Sequence, residues 1–153
     1  MPDVDTSLID AIRAASRKMV RELGFMRTTL AGTDYSPSAV HAIMEIGARQ
    51  SMTAAELAEF LNLEKSSISR MVRKLIEAGE LKEAVSRGDA RAKLLTLTPR
   101  GKRTLVSIND YGRQQVTSAL TQLTDDQQQA VAAGLTAYAR ALETHRVGAP
   151  DNA

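Results

Sequence analysis

The sequence predicts a mainly α-helical protein with a small β-hairpin (α+β), in which long helices lie before and after a compact helix-turn-helix. Three observations predict this fold class. Apolar residues recur at helical spacing along most of the chain. Aromatic residues make up only 3% of it, so aliphatic side chains must fill the core, which favours closely packed helices. Only two short segments, 81–85 and 93–97, have the composition of strands.

Positive charge is concentrated in one part of the chain. The segment from Glu64 to Arg103 holds eleven Lys and Arg against five Asp and Glu, whereas the whole chain carries a formal charge of only +2. A near-neutral protein with one cationic segment suggests that this segment meets a polyanion.

Length and composition limit the remaining possibilities. A chain of 153 residues is expected to form a single domain, 1–153, and can bury roughly 68–70% of its unfolded surface. No apolar run approaches the roughly 20 residues of a membrane span, and residues 1–5 lack a secretion signal, so we expect a cytoplasmic protein without a membrane partner. The absence of cysteine excludes disulfides and thiolate chemistry, and two distant histidines argue against zinc. No cofactor or metal is expected.

The first helix is expected from about Thr6 to Leu30, with apolar residues on one side and basic residues on the other. One interpretation is an amphipathic helix with a solvated basic face. A helix of this length before the compact motif has little of its own domain to pack on. A partner subunit would supply the missing surface.

The second helix is expected to begin at Ser36-Pro37, because serine accepts a backbone N–H at the cap and proline needs no partner in the first turn. Gly47 is expected to mark its end. The residues expected to face inward are Val40, Ile43, Met44 and Ile46.

The helix-turn-helix follows. Thr53 and Glu56 form a capping box that opens a short helix. A turn at Asn62-Leu63 leads to a helix from about Lys65 to Ala78. Its apolar stripe consists of Ile68, Met71, Val72, Leu75 and Ile76. Its opposite face carries Lys65, Ser66, Ser67, Ser69, Arg70, Arg73 and Lys74. This face has no acid, and it suits a DNA groove because serines allow close approach while arginines reach phosphates or guanine edges.

A hairpin with a basic tip comes next, with strands at Leu81–Val85 and Lys93–Leu97. The turn between them contains Arg87 and Arg91, and a guanidinium at a hairpin tip suits the negative potential of a minor groove. Asp89 is expected to hold Arg91 in one direction. The alternative is an exposed turn with an incidental ion pair.

Two long helices close the chain. Thr98-Pro99 begins the first, which is expected to run to about Leu123, and a capping box from Thr124 to Gln127 begins the second. The second is expected to end near Arg146, with residues 147–153 as a frayed tail.

This order of elements resembles the MarR family of bacterial transcriptional regulators over essentially the whole chain. The resemblance rests on LAEFLNLEKSSISRMVRKLIEAGEL, on Asp89-x-Arg91 and on LLTLTPRGK. It implies a winged helix-turn-helix lobe at 36–97, with dimerisation helices at 6–30 and 98–146 intertwined in an obligate homodimer. It also implies that the arginine of the hairpin, or wing, enters the minor groove and is positioned by the aspartate.

We therefore expect a homodimeric repressor that binds double-stranded DNA at a palindromic operator. Ser66, Ser67, Ser69 and one of the arginines are candidates for base edges. The candidates for phosphate contacts are Lys65, Arg70, Arg73, Lys74 and Lys93. The alternative is a winged-helix module for protein contacts within a larger assembly. An enzyme is not expected, because the sequence offers no catalytic triad, paired carboxylates or phosphate loop.

Relief of repression by a small molecule is also expected, because MarR relatives often bind an aromatic or anionic effector between the dimerisation helices and the DNA-binding lobe. The candidates placed there by the sequence are Arg17, Tyr35, His41, Met44 and Tyr111. Two of them have plainer explanations: His41 as an ordinary, partly buried histidine, and Met44 as a core side chain.

Overall fold

The computed structural model describes residues 3–85, 88 and 93–149, and it confirms the predicted fold class. Helices predominate, and one small antiparallel sheet is formed by strands on either side of the helix-turn-helix in the sequence. The elements in chain order are α1 (Thr6–Glu22), α2 (Pro37–Arg49), β1 (Met52–Thr53), α3 (Ala54–Leu61), α4 (Lys65–Glu77), β2 (Leu81–Val85), β3 (Lys93–Leu97), α5 (Pro99–Leu120) and α6 (Asp125–Gly148). The chain divides into two compact units, residues 1–111 and 112–153, with the boundary inside α5. The proposed division into dimerisation helices and a winged lobe stays a prediction.

The sheet has the strand order β1-β3-β2, and both pairings are antiparallel. Leu81 lies opposite Leu97 in the β2–β3 pair, and Met52 of β1 lies opposite Leu95. These four side chains are buried on the face that meets the helices. The two-residue strand β1 was not predicted, because a strand this short has no alternation to detect and exists only through its pairing with β3.

The core of the first unit lies between α2, α3, α4 and this sheet, with Ile108 of α5 added to it. It is aliphatic, as the composition predicted. The fully buried members with the largest side chains are Ile43, Ile46, Met52, Leu57, Ile68, Leu75, Leu81 and Leu95. Met44 was predicted to face inward and does not, since 40% of it is exposed.

The predicted first helix was too long. α1 ends at Glu22, eight residues before Leu30. Gly24 causes this ending, because it adopts a φ of +87° and its N–H donates to the carbonyl of Arg21. The next N–H, of Phe25, donates to the carbonyl of Val20, which completes the glycine-terminated C-cap known as the Schellman motif.

Gly47 does not end α2 as predicted, because it lies inside the helix and Arg49 is the last helical residue. Its role is close packing. A Cβ atom built at Gly47 would lie 2.4 Å from Cδ2 of Leu105 and 3.2 Å from Cδ1 of Leu97. The C-cap of the helix is Gln50, which adopts a φ of +73°.

The predicted caps are confirmed. Ser36 accepts the N–H of Ala39, and both capping boxes are present, at Thr53 with Glu56 and at Thr124 with Gln127. The two closing helices differ slightly from prediction, because α5 ends at Leu120 and a turn over 121–123 leads into α6, which continues to Gly148.

Two of the terminal helices, each considered by itself, bury none of their residues. α1 has 17 residues and α6 has 24, and each exposes a stripe of apolar side chains. The exposed large apolar side chains are Leu8, Ile9, Ile12, Met19 and Val20 in α1, and Val131, Leu135, Tyr138, Leu142 and Val147 in α6. Within residues 3–85, 88 and 93–149, no helix is both long and apolar enough to cross a membrane.

Candidate nucleic-acid interface

The orientation of α4 follows from its apolar stripe. Ile68, Val72 and Leu75 are buried in the core, and Met71 and Ile76 pack against it. Because these residues repeat every three or four positions, the polar residues between them must face outward. Six of the predicted DNA-binding residues are exposed and Ser67 is half-buried. The exposed ones are Lys65, Ser66, Ser69, Arg70, Arg73 and Lys74.

The four cationic side chains of α4 are not engaged by carboxylates in the described part of the chain. Ion pairs there join Arg13 to Asp10, Arg49 to Glu45, Lys93 to Glu83 and Arg100 to Glu80, and none of them involves α4. A solvated helix usually pairs its charges at positions i and i+4. This face instead leaves its positive charge available to an external anion.

The start of α4 also differs from the starts of its neighbours. Ser36, Thr53 and Thr124 each place a side-chain oxygen on a first-turn N–H, but Glu64 at the cap of α4 makes no such hydrogen bond. The first-turn N–H groups of α4 therefore have no capping side chain. Such groups can donate hydrogen bonds to a phosphate oxygen, and the positive end of the helix dipole favours its negative charge.

The wing is described only in part. Nζ of Lys93 lies 3.3 Å from Oε2 of Glu83 on the neighbouring strand, so this predicted phosphate contact is shared with an internal carboxylate. Both side chains are largely solvated, so this pair holds the lysine weakly. Arg87, Asp89 and Arg91 lie outside the described residues, and their predicted role at the tip stays a prediction.

A groove of about 710 Å³ lies beside α4. It is formed by the loop before α2, the first turn of α2 and one side of α4. Tyr35 and Asp34 lie on one wall, and Arg70, Met71 and Lys74 lie on the other. The remaining lining residues are Thr28, Thr29, Ser36, Ala39, Ser67 and Leu75. The groove therefore shares two cationic side chains with the outward face of α4.

The five effector candidates do not converge on this groove, since Tyr35 alone among them lines it. His41 is exposed, with its ring 5.7 Å from that of Phe25 in an edge-on arrangement, so the expectation of a partly buried histidine was wrong. Arg17 is exposed on α1, Met44 is 40% exposed and Tyr111 is 45% exposed.

Tyr35 and Glu80 form a polar contact that sequence reasoning missed. The phenol donates a hydrogen bond of 2.8 Å to Oε1 of Glu80, which is only 2% exposed. Burial raises the pKa of Tyr35 above its ordinary value of 10.0, and the bond to the carboxylate raises it further. No local signal could have found this pair, because the two residues are 45 positions apart and a glutamate after a helix is ordinarily solvated.

A comparison with known protein families identifies the segment that contains α4. Residues 33–92 match the family model described as the MarR family. This segment belongs to the MarR family. The match includes α2, α3, α4 and the first strand of the wing, and it confirms the predicted resemblance. MarR-family proteins are transcriptional regulators rather than enzymes. No curated protein matches the sequence.

Solved structures are similar to this chain in fold. FabT of Streptococcus pneumoniae, solved in complex with DNA, has a TM-score of 0.75 and 20% identity, over 92% of this chain and 99% of FabT. MarR of E. coli in its apo form has a TM-score of 0.69 and 18% identity, over 90% of this chain and 98% of that one. BpsR of Bordetella bronchiseptica, whose DNA binding is regulated by 6-hydroxynicotinic acid, has a TM-score of 0.68 and 14% identity, over 85% of this chain and 98% of BpsR. These likenesses confirm the winged-helix fold.

Proposed function

We propose that this protein is a homodimeric transcriptional repressor that binds a palindromic operator in double-stranded DNA and is released by a small anionic effector. The outward face of α4 is the observation that carries the proposal. It presents four cations and three hydroxyls, Glu77 in its last turn is its one exposed acid, and no ion pair of the described residues engages those cations.

The side chains of α4 divide by length into two tasks. Lys65, Arg73 and Lys74 supply long cationic side chains for phosphate oxygens, with the uncapped first turn as a further phosphate contact. Ser66 and Ser69 are short, so that the helix can enter the major groove and bring one arginine, such as Arg70, to a guanine edge. The wing, with Lys93 at its base and Arg87, Asp89 and Arg91 at its tip, takes the adjacent minor groove.

The exposed apolar stripes support a homodimer. Fully burying one aliphatic side chain is worth about 1.5–3 kcal/mol, and α1 and α6 expose ten large apolar side chains between them. A second copy of the chain would cover them, and a closed two-fold arrangement makes each α4 read one half-site. The two half-sites would then lie about 10–10.5 bp apart, one turn of B-DNA.

The groove beside α4 is the proposed effector site. An aromatic acid there would place its carboxylate near Arg70 and Lys74 and its ring near Tyr35 and Met71. The same two cations face the DNA, so the ligand and the phosphates compete for them, and bound ligand lowers operator affinity. The regulation of BpsR by 6-hydroxynicotinic acid supports this class of ligand. Of the five candidates from the sequence, the proposal keeps Tyr35.

The proposal is tested by selecting bound fragments from random DNA, then measuring affinity for the selected site against salt. If about 6–10 phosphates are neutralised per dimer, affinity falls by roughly 10³–10⁵ between 50 and 200 mM salt. Arg73→Ala should reduce the salt slope by about one for each phosphate that the arginine neutralises. Lys18→Ala removes the same charge from an exposed position of α1 and serves as the matched control.

Failure to enrich any DNA sequence, or an affinity independent of salt, would contradict the proposal. It would favour the alternative, a winged-helix module for protein contacts. That alternative expects an apolar or acidic patch on α4, yet none of the exposed large hydrophobic residues in the described ranges lies on that helix. Sedimentation of the wild-type chain tests the dimer separately.

A further inference from the structure

Glu80 is the one buried charged residue among those described, and it lies directly after the helix that the proposed function assigns to DNA reading. Its backbone closes that helix, because the N–H of Glu80 donates to the carbonyl of Leu75 at 2.9 Å. Its carbonyl in turn accepts the N–H of Thr98, at 3.1 Å, immediately before α5. The backbone of Glu80 therefore joins the end of α4 to the start of α5.

The side chain of Glu80 adds two more connections. Oε1 accepts a bond of 2.8 Å from the hydroxyl of Tyr35, just before α2, and one of 3.2 Å from Nε of Arg100 in the first turn of α5. Through one residue, three helices that are distant in sequence are held at a single point. Oε2 is buried and has no hydrogen-bond partner among the described residues.

Stability alone does not account for a carboxylate in this position. A buried charge loses its hydration, and apolar residues of similar volume often replace buried ion pairs without loss of stability. The hydrogen bonds of Glu80 are directional, however, whereas an apolar contact at the same point would tolerate rotation and sliding of the helices. With half of its carboxylate unpartnered, Glu80 depends on the two donors that reach Oε1.

We propose that Glu80 is a positioning residue for the DNA-reading helix: it fixes the angle of α4 against α2 and α5 through Tyr35 and Arg100. The proposal rests on the proposed function, since it assumes that α4 reads DNA. In this proposal Glu80 does not contact DNA itself. By fixing the angle of α4, it determines how well the protein distinguishes the operator from other sequences.

The test compares three variants, Tyr35→Phe, Glu80→Gln and the double variant Tyr35→Phe with Glu80→Leu. The double variant replaces both partners of the hydrogen bond with apolar groups, which can be neutral for stability. Glu59→Gln makes the same chemical change as Glu80→Gln at an exposed position of α3, outside the DNA-reading helix, and is the matched control.

Thermal melting and the ratio of operator affinity to random-DNA affinity are measured for each variant. We expect the double variant to melt close to the wild-type temperature and yet to lose about tenfold in this ratio, because the helices pack without a fixed angle. Tyr35→Phe and Glu80→Gln should lower the ratio in the same direction. A double variant with both wild-type melting and a wild-type ratio would overturn the proposal, because the network would then only stabilise the fold.

Hydrogen exchange of the free protein separates this proposal from the proposed function. Glu80→Gln should raise the exchange of backbone amides several-fold at two distant places, the first turns of α2 and α5, whereas Glu59→Gln should not. An effect confined to residues 78–82 would overturn the positioning role. If the wild-type protein selects no DNA, the proposed function fails, and the exchange pattern still decides whether Glu80 positions α4. If the double variant does not fold, the two single variants and the exchange pattern decide the question.

Discussion

Gly101 offers the sharpest test of the packing at the start of α5. It is buried in the first turn of that helix, and a Cβ atom there would lie 2.2 Å from the carbonyl oxygen of Glu80 and 3.3 Å from Cβ of Leu97. The carbonyl is held in place by the N–H of Thr98, and the N–H of Gly101 itself donates to Oγ1 of Thr98 at 3.0 Å. Because the obstacle is backbone, no side-chain rotation can relieve the clash.

The expected magnitude combines two opposing effects. Replacing a helical glycine with alanine normally adds about 0.8–1.0 kcal/mol of stability. Overpacking a close contact costs about 1–3 kcal/mol and occasionally more, and a backbone obstacle at this distance belongs at the upper end. We therefore expect Gly101→Ala to lower the free energy of unfolding by about 2 kcal/mol or more. For a chain of this size, that loss lowers the melting temperature by about 4–8 °C.

Two other glycines provide matched controls. Gly112 lies in the same helix with no atom within 4 Å of a built Cβ, so Gly112→Ala should stabilise by about 0.8–1.0 kcal/mol. Gly47 in α2 meets mainly the end of the flexible Leu105 side chain, so Gly47→Ala should fall between the two. Urea denaturation at one fixed protein concentration measures all three, since the stability of the proposed dimer would depend on concentration. A Gly101→Ala variant at least as stable as Gly112→Ala would refute the reasoning.

Four further predictions concern the two residues of a capping box, a partly buried phenol and the wing. Thr53→Ala should cost about 1 kcal/mol of unfolding free energy by removing the cap of α3; an unchanged urea midpoint would contradict it. Hydrogen bonds to Thr53 lower the pKa of Glu56 from its ordinary value of 4.5, so its contribution is present above that value and is lost as pH falls through the lowered pKa. The deficit of Glu56→Gln should therefore shrink in acid, and a deficit independent of pH would contradict the assignment. Burial raises the pKa of Tyr35 above 10.0, so this tyrosine ionises first in the unfolded chain, and stability should fall as pH rises above about 10. Tyr35→Phe should remove the component of the tyrosinate absorbance that appears at the highest pH. An unchanged titration curve would contradict this prediction. Arg91→Ala should weaken binding to the proposed operator without unfolding the protein, measured by gel shift and melting, and unchanged affinity would remove the wing arginine from the proposed interface.

Much of the fold could be predicted because its causes are local. The caps at Ser36, Thr53 and Thr124 each depend on residues within three positions, and all three are confirmed. The outward face of α4 followed from the spacing of its apolar residues, which also fixed where its cations point. The match of residues 33–92 to the MarR family was equally readable, since the three segments that carry the resemblance follow one another closely in the sequence.

The errors arose where a local pattern had two outcomes. The apolar spacing continued past Gly24 to Leu30, but a positive φ at that glycine ends α1. Gly47 had the composition of a helix end, yet its role is to let Leu105 approach α2. Met44 matched the inward spacing of α2 but lies at the edge of its buried stripe, 40% exposed.

The sequence by itself determined the order of the elements, the polarity of each helix face and the cationic character of α4, because these depend on periodicity and capping within a few residues. Only the tertiary structure decided what meets across long separations. It brought Tyr35 and Arg100 onto Glu80, placed Gly101 against the carbonyl of that residue, and formed a groove between α2 and α4. The physical reason is that burial and hydrogen-bond direction are properties of the packed chain. Nothing in the sequence around a glutamate indicates that its carboxylate will be buried.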